Sequence, residues 1–190
     1  MNDFDTSNHR AIVEEFIKRW TGSQIKDSTK AVKDVMCELC ARYIPRGREY
    51  CGTLIKDGKK YHEWLLDVLW YVKTKKEERG VFLGLESEWQ DDVHEVASDF
   101  CKLLALKAPV KILLFQSGDK SKVEIGKHLK ELNRIGKTWR QHSRGDLIYA
   151  INFHDGRHES YFYGVKKAGI NSSFSLKSVP DLSGVDRLSA

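Results

Sequence analysis

VFLGLESEW, from Val81 to Trp89, is the stretch on which the reading of this chain turns. It is an apolar run of strand length that ends in Glu86-Ser87-Glu88, acidic residues that a half-buried strand carries only for a reason. Just upstream, EWLLDVLW from Glu63 to Trp70 is a second such run with Asp67 inside it, and a Lys-rich turn separates the two. They read as adjacent strands. Side chains two apart on a strand share a face, so Glu86 and Glu88 are expected on one side, ~6–7 Å apart, with Ser87 on the other. Asp67 is expected to join the two glutamates from the neighbouring strand. Two carboxylates about 4 Å apart repel by roughly 1 kcal/mol in water and roughly 4 kcal/mol at an effective dielectric of about 20. Three converging in a cleft therefore call for a cation or a shared proton, and a set of oxygen ligands favours Mg²⁺ or Mn²⁺ over Zn²⁺.

An aspartate on one strand, Glu-x-Glu at the end of the next and a helix after it resembles the PD-(D/E)XK nuclease superfamily, the restriction-endonuclease-like fold. The matching residues are Asp67, Glu86 and Glu88, with Glu88 standing where that superfamily most often has lysine. The order of elements resembles it as well: helix, three-strand meander, helix and strand, between Asn8 and Phe115. The resemblance implies an α/β fold, with a mixed central sheet of a meander, then a helix and a parallel strand, flanked by helices. It further implies a metal-dependent phosphodiesterase acting on DNA. Asp67 and Glu86 would hold Mg²⁺ or Mn²⁺ together with the Ser87 backbone carbonyl, and Glu88 would orient or deprotonate the attacking water. Some members have moved the lysine onto the following helix, which makes Lys102 the candidate replacement. Many restriction-like enzymes act as dimers, so a homodimer is among the implied assemblies.

The chain of 190 residues fits one domain, expected over residues 1–170, with a loosely packed Ser-rich tail at 171–190. Its 41% hydrophobic and 31% charged content is that of a globular protein. No apolar run approaches the ~18 residues of a membrane span, and the opening MNDFDTSNHR is acidic and polar where a signal peptide is basic and then apolar. An intracellular protein is the expectation. Cys37, Cys40, Cys51 and Cys101 are too few and too irregularly spaced for a disulfide scaffold. Cys37-x-x-Cys40 with Cys51 and His62 lacks the second tight pair of a zinc site, so buried small hydrophobes are the better reading.

Ile12, Phe16, Ile17 and Trp20 form a helical stripe over Asn8–Trp20, with Glu14 and Glu15 off it. The superfamily often donates a first-helix glutamate to the site, but a solvated glutamate is the simpler reading of both. Val32, Val35, Met36, Leu39, Cys40 and Tyr43 mark a second helix that stops before Pro45. Tyr50–Ile55 and Tyr61–Tyr71 around Asp57-Gly58 predict a hairpin, and Lys73–Gly80 turns back into Val81. Val93, Val96, Ala97, Phe100, Leu103 and Leu104 predict a helix from Asp92 to about Leu106. Glu95, Asp99 and Lys102 make one line on its other side, read either as an Asp99–Lys102 pair on a wet face or as Lys102 reaching the acidic site. VKILLF, Val110–Phe115, is a central strand expected parallel to Val81–Glu88.

Between Lys120 and Arg144 eight basic residues face two acidic ones, a net of +6 against +5 for the whole chain. Val123, Leu129, Leu132 and Ile135 predict a helix there, whose outer residues Lys127, Lys130, Arg134 and Lys137, followed by Arg140, suit a phosphate backbone. A solvated charged helix is the competing reading. Leu147–Phe153 and Tyr161–Val165 predict two more strands joined through HDGRHES, where His154, Asp155 and His158 read as turn residues before metal ligands. Three functions remain in play. One is a metal-dependent deoxyribonuclease, and a second is a catalytically inactive module of that fold that binds nucleic acid or a protein. The third is a glycosidase-like acid and base pair, against which the sequence offers no aromatic-rich sugar platform.

Overall fold

The computed structural model describes residues 7–22, 29–43, 47–51, 55–56, 59–60, 66–73, 79–117, 122–139, 147–154, 157–164 and 177–178. Helix α1 (Ser7–Gly22) and helix α2 (Thr29–Tyr43) come first, at the two predicted apolar stripes. Strands β1 (Gly47–Cys51), β2 (Ile55–Lys56), β3 (Lys59–Lys60), β4 (Val68–Lys73) and β5 (Arg79–Glu88) follow. Helix α3 (Val93–Ala105), strand β6 (Val110–Gln116), helix α4 (Lys122–Thr138) and strands β7 (Leu147–His154), β8 (Arg157–Gly164) and β9 (Lys177–Ser178) complete the order. The result is an α/β protein whose mixed open sheet runs β1-β4-β5-β6-β7-β8-β9, with β2 and β3 forming a separate small hairpin.

Alternation along the strands sorts the core into two layers. Val68, Trp70, Ile112, Leu114, Tyr149 and Ile151 face one side, where Ile12, Phe16 and Trp20 of α1 and Val32, Met36 and Leu39 of α2 cover them. Leu69, Leu113, Phe115, Ile148 and Ala150 face the other, under Phe100 and Leu103 of α3 and Leu132 and Ile135 of α4. β6 is buried on both faces, as its apolar run predicts, and Lys111 within it is buried too. It lies parallel to both β5 and β7, so α3 and α4 are successive crossovers, packed against each other on one face. Asp92 caps α3 by accepting a hydrogen bond from the His94 N–H at 2.7 Å. No helix of the described residues is long and apolar enough to cross a membrane.

Two expectations about the meander change. The strand expected over Tyr50–Ile55 is replaced by β1, which pairs with β4, and by β2, which among the described residues pairs with β3. The strand expected over Tyr61–Tyr71 is ordered as β4 from Val68, with Asp67 in a bend before it; residues 61–65 lie outside those described. The ladder between β4 and β5 ends at Val68 and Leu85 because the next backbone donor, the Asp67 N–H, goes to the Glu86 side chain at 3.3 Å. A register shift beside Trp70 and Tyr71 leaves Phe82 as an extra residue on β5, and Phe82 and Leu83 consequently both enter the core beneath α1 and α2. Lys177–Ser178 of the expected loose tail pairs with β8, and β7 and β8 run further into HDGRHES than expected, with His154 opposite Arg157. Asp155 and the side chains of His154 and His158 lie outside the described residues.

Gly84 is where β5 meets the end of α3. A Cβ there would lie 2.2 Å from Leu106 Cδ2 and 3.2 Å from Leu66 Cδ1. Gly84→Val is therefore expected to lower the free energy of unfolding by about 1–3 kcal/mol through overpacking, read as a reduced urea midpoint at unchanged slope.

Candidate active site

β5 delivers Glu86 and Glu88 toward α3, and Ser87 toward α2, as the two-residue period requires. Glu86 is buried. Its Oε2 accepts the Asp67 backbone N–H at 3.3 Å, and its Oε1 lies 3.2 Å from Lys102 Nζ without hydrogen-bond geometry. Lys102 comes from the third turn of α3 and also donates to Asp99 Oδ1 at 2.7 Å. Of the two readings of that helix line, both features hold: the Asp99–Lys102 pair forms, and Lys102 reaches the acidic site. The wet face holds at Glu95 and Lys102 and fails at Asp99, which is only 8% exposed. Glu88 is half-buried and accepts the Gln90 N–H at 2.7 Å.

The Asp67 carboxylate does not join Glu86 and Glu88 on their side as expected. Because Asp67 sits in a bend and not in the strand, its Oδ2 turns to Ser87, accepting the backbone N–H at 2.9 Å and the hydroxyl at 2.7 Å. Its Oδ1 faces Lys33 Nζ of α2 at 3.4 Å. The contacts of Ser87 with Asp67 thus run through its N–H and hydroxyl. Sequence reasoning missed Asp99, Lys33 and Thr29. Only the line Glu95-Asp99-Lys102 carried any signal of the first, and nothing in α2 signalled the other two.

Burial pushes the Glu86 carboxyl up to about 8, with the Asp99 charge reinforcing the rise, Lys102 opposing it and Asp67 adding to it. Burial also raises Asp99, against the hydrogen bond and charge of Lys102. For Lys102, burial alone would favour the neutral amine, but Asp99 and Glu86 outweigh it and raise its proton affinity above that of an ordinary lysine. The site is an acidic cluster with a permanent ammonium set between Glu86 and Asp99.

The donor set suits a hard divalent cation in kind. Asp67, Glu86, Asp99 and Glu88 offer oxygen only, and Glu86 Oε1 is a buried oxygen that accepts no hydrogen bond. Among the described residues no three acidic, histidine or cysteine side chains converge on one point. A cation held by Asp67 and Glu86 would complete its shell with water, carbonyl or phosphate oxygens, as Mg²⁺ ordinarily does.

Of the first-helix glutamates, Glu15 is engaged away from this cluster. Glu15 binds Arg19 at 3.0 Å, Tyr43 Oη at 2.6 Å and Arg42, fastening α1 to α2. Cys37 is exposed and Cys40 buried on α2, and Cys37, Cys40 and Cys101 are all thiols, not disulfides. On α4, Lys127, Lys130, Arg134 and Lys137 fall on one exposed line, spanning ~15 Å at the helical rise of about 1.5 Å per residue. Lys127 pairs with Glu124 at 2.5 Å and Arg134 with Glu131 at 2.5 Å; Arg140 lies outside the described residues. Buried His128 faces the loop after β5. Its Nδ1 lies 3.0 Å from the Glu124 carbonyl oxygen and its Nε2 3.7 Å from Asp91 Oδ1.

Fold and site together define an α/β protein with an open mixed sheet and a lysine-containing acidic cluster at the end of β5. The chain matches no protein-family model, and neither curated proteins nor solved structures give a significant match.

Proposed function

We propose that this chain is a variant of the PD-(D/E)XK superfamily, with a restriction-endonuclease-like fold, and that it hydrolyses DNA phosphodiester bonds with Mg²⁺ or Mn²⁺. The observation that carries the reading is Lys102 Nζ, 3.2 Å from Glu86 Oε1. It sets an ammonium beside the acidic residues although Glu88 replaces the lysine of the usual motif. The meander β1-β4-β5, followed by α3 and the parallel strand β6, supports the fold assignment.

In this reading Asp67 and Glu86 supply the cation's side-chain ligands, which requires Asp67 Oδ1 to turn from Lys33. The bound cation would acidify water and offset charge on the phosphoryl group. Glu88, on the same side of β5 as Glu86, orients the attacking water and takes its proton. Lys102 faces the charge that develops on the phosphate oxygens, and Asp99 holds Lys102 in place through the 2.7 Å bond. The basic line on α4 tracks the substrate backbone.

The test is incubation of supercoiled, linear and single-stranded DNA, and of RNA, with Mg²⁺, Mn²⁺ or EDTA. Cutting of DNA that needs metal and stops in EDTA is the expected result, and preferential cutting of RNA would reassign the substrate. Salt-dependent binding without cutting would make the chain an inactive module of the same fold. Binding itself is expected to depend on α4. Lys130→Ala and Lys137→Ala should each weaken it evenly across sequences and reduce the slope of log K against log salt by about 1. Unchanged slopes in a fluorescence-anisotropy titration would remove α4 from the interface.

A further inference from the structure

Three side chains behind β5 form a hydrogen-bond chain that ends on Asp67. Trp89 Nε1 lies 3.0 Å from Thr29 Oγ1, Thr29 Oγ1 lies 3.3 Å from Ser87 Oγ, and Ser87 Oγ lies 2.7 Å from Asp67 Oδ2. Its direction follows from the chemistry of the two ends. An indole N–H can only donate, and a carboxylate can only accept. The single Ser87 hydroxyl proton is therefore directed to Asp67, and the contact between the two hydroxyls is made by the proton of Thr29. Every dipole in the chain points toward Asp67, and dipoles aligned in this way reinforce one another. The donor end is anchored in the core: the Trp89 ring stacks on Trp20 at 5.7 Å, and Trp20 stacks on Phe16 at 6.3 Å. Thr29 is the first residue of α2, and Lys33, one turn further, faces Asp67 Oδ1.

We infer that Trp89 and Thr29 are positioning residues, which act through Ser87 to fix the rotation of the Asp67 carboxylate and leave Oδ1, which faces Lys33, as its one oxygen outside the chain. The catalytic consequence rests on the nuclease reading, in which Asp67 supplies a single oxygen to the cation. The chain itself does not. Fixing Asp67 through two hydroxyls and an anchored indole removes a rotation that a bend residue outside the sheet would otherwise retain.

The test has two arms. In the first, Thr29→Val, which keeps the shape and removes the hydroxyl, is expected to lower kcat about tenfold with KM for DNA within about twofold. Thr29→Ser should keep the wild-type kcat, and Trp89→Phe, which keeps the stack on Trp20, should lie between them. Equal kcat in Thr29→Val and wild type overturns the inference. So does a loss in Thr29→Val that Thr29→Ser shares. The second arm needs no activity. Hydrogen exchange of the Trp89 indole N–H, followed by NMR, is expected to quicken at least about threefold in Asp67→Ala and to stay at the wild-type rate in Asp99→Asn, whose hydrogen bond is to Lys102 and not to the chain. Exchange unaffected by Asp67→Ala overturns the inference whether or not the protein cuts DNA. A protein that cuts nothing while Asp67→Ala still quickens exchange would retire the nuclease reading and leave the positioning chain in place.

Discussion

Glu86→Gln is expected to make the protein more stable above about pH 8 and, on the nuclease reading, to abolish metal-dependent cleavage at the same pH. The stability effect follows from burial. In the folded protein the Glu86 carboxyl is pushed up to about 8 from an ordinary value of 4.5. As pH rises between those values the unfolded chain gives up its proton while the folded one keeps it, so stability falls across the window and levels off above it. Each tenfold change in proton affinity corresponds to about 1.4 kcal/mol, which makes the loss on the order of a few kcal/mol. Glutamine matches the shape, keeps an acceptor for the Asp67 N–H and never ionises. Urea unfolding should show little difference between variant and wild type at about pH 4.5, and an advantage for Glu86→Gln that grows to its full size by about pH 8.5. An advantage at low pH that shrinks as pH rises would show that Glu86 is held as the carboxylate. On the nuclease reading metal should narrow the difference, since a ligand at 100 times its Kd stabilises by about 2.7 kcal/mol and the glutamine variant would gain less of it. On the nuclease reading cleavage should fall by at least about 10³-fold, because a carboxylate ligand would be gone from the reacting centre.

The unfavourable burial of Glu86 also bears on how far such a site can be read from sequence. That Glu86 and Glu88 share a face and Ser87 does not is a consequence of strand geometry, and it holds. So do the two apolar stripes of α1 and α2, the double burial of β6 and the parallel crossover, all of which rest on local period and chain order. The position of Asp67 was not legible, because the end of β4 is decided by a side chain on the neighbouring strand that captures the next backbone donor. The extra residue Phe82 left no trace either, since an apolar residue reads the same in or out of register. Periodicity places Asp99 off the apolar stripe of α3, but it cannot tell which part of the sheet lies beneath that side. Here the end of β5 does, and a position that reads as solvated is buried. Thr29 reaches Ser87 from 58 residues away in sequence and Lys33 of the same helix reaches Asp67, and no local pattern carries such distances.

Lys102→Met should separate the migrated-lysine reading from a merely structural pair. Methionine keeps most of the aliphatic stem and removes the ammonium that lies 3.2 Å from Glu86 and 2.7 Å from Asp99. If Lys102 faces charge on the reacting phosphate, cleavage should fall about 10²–10³-fold while DNA binding stays within about threefold, the pattern of an interaction made chiefly in the transition state. The pH dependence should move too. Lys102 opposes the upward push on both Glu86 and Asp99, so without it both carboxyls hold their protons to higher pH and the acid limb of the rate profile shifts upward. Asp99→Asn keeps the ammonium but weakens its hold, and should cost less than Lys102→Met. The decisive variant restores a lysine where the usual motif has it. Glu88 and Glu86 project from the same side of β5, so Glu88→Lys placed on Lys102→Met should recover at least about tenfold of the lost rate if the missing ingredient is an ammonium at this site. Wild-type cleavage by Lys102→Met would remove Lys102 from the chemistry and leave it as the partner that makes burial of Glu86 and Asp99 tolerable.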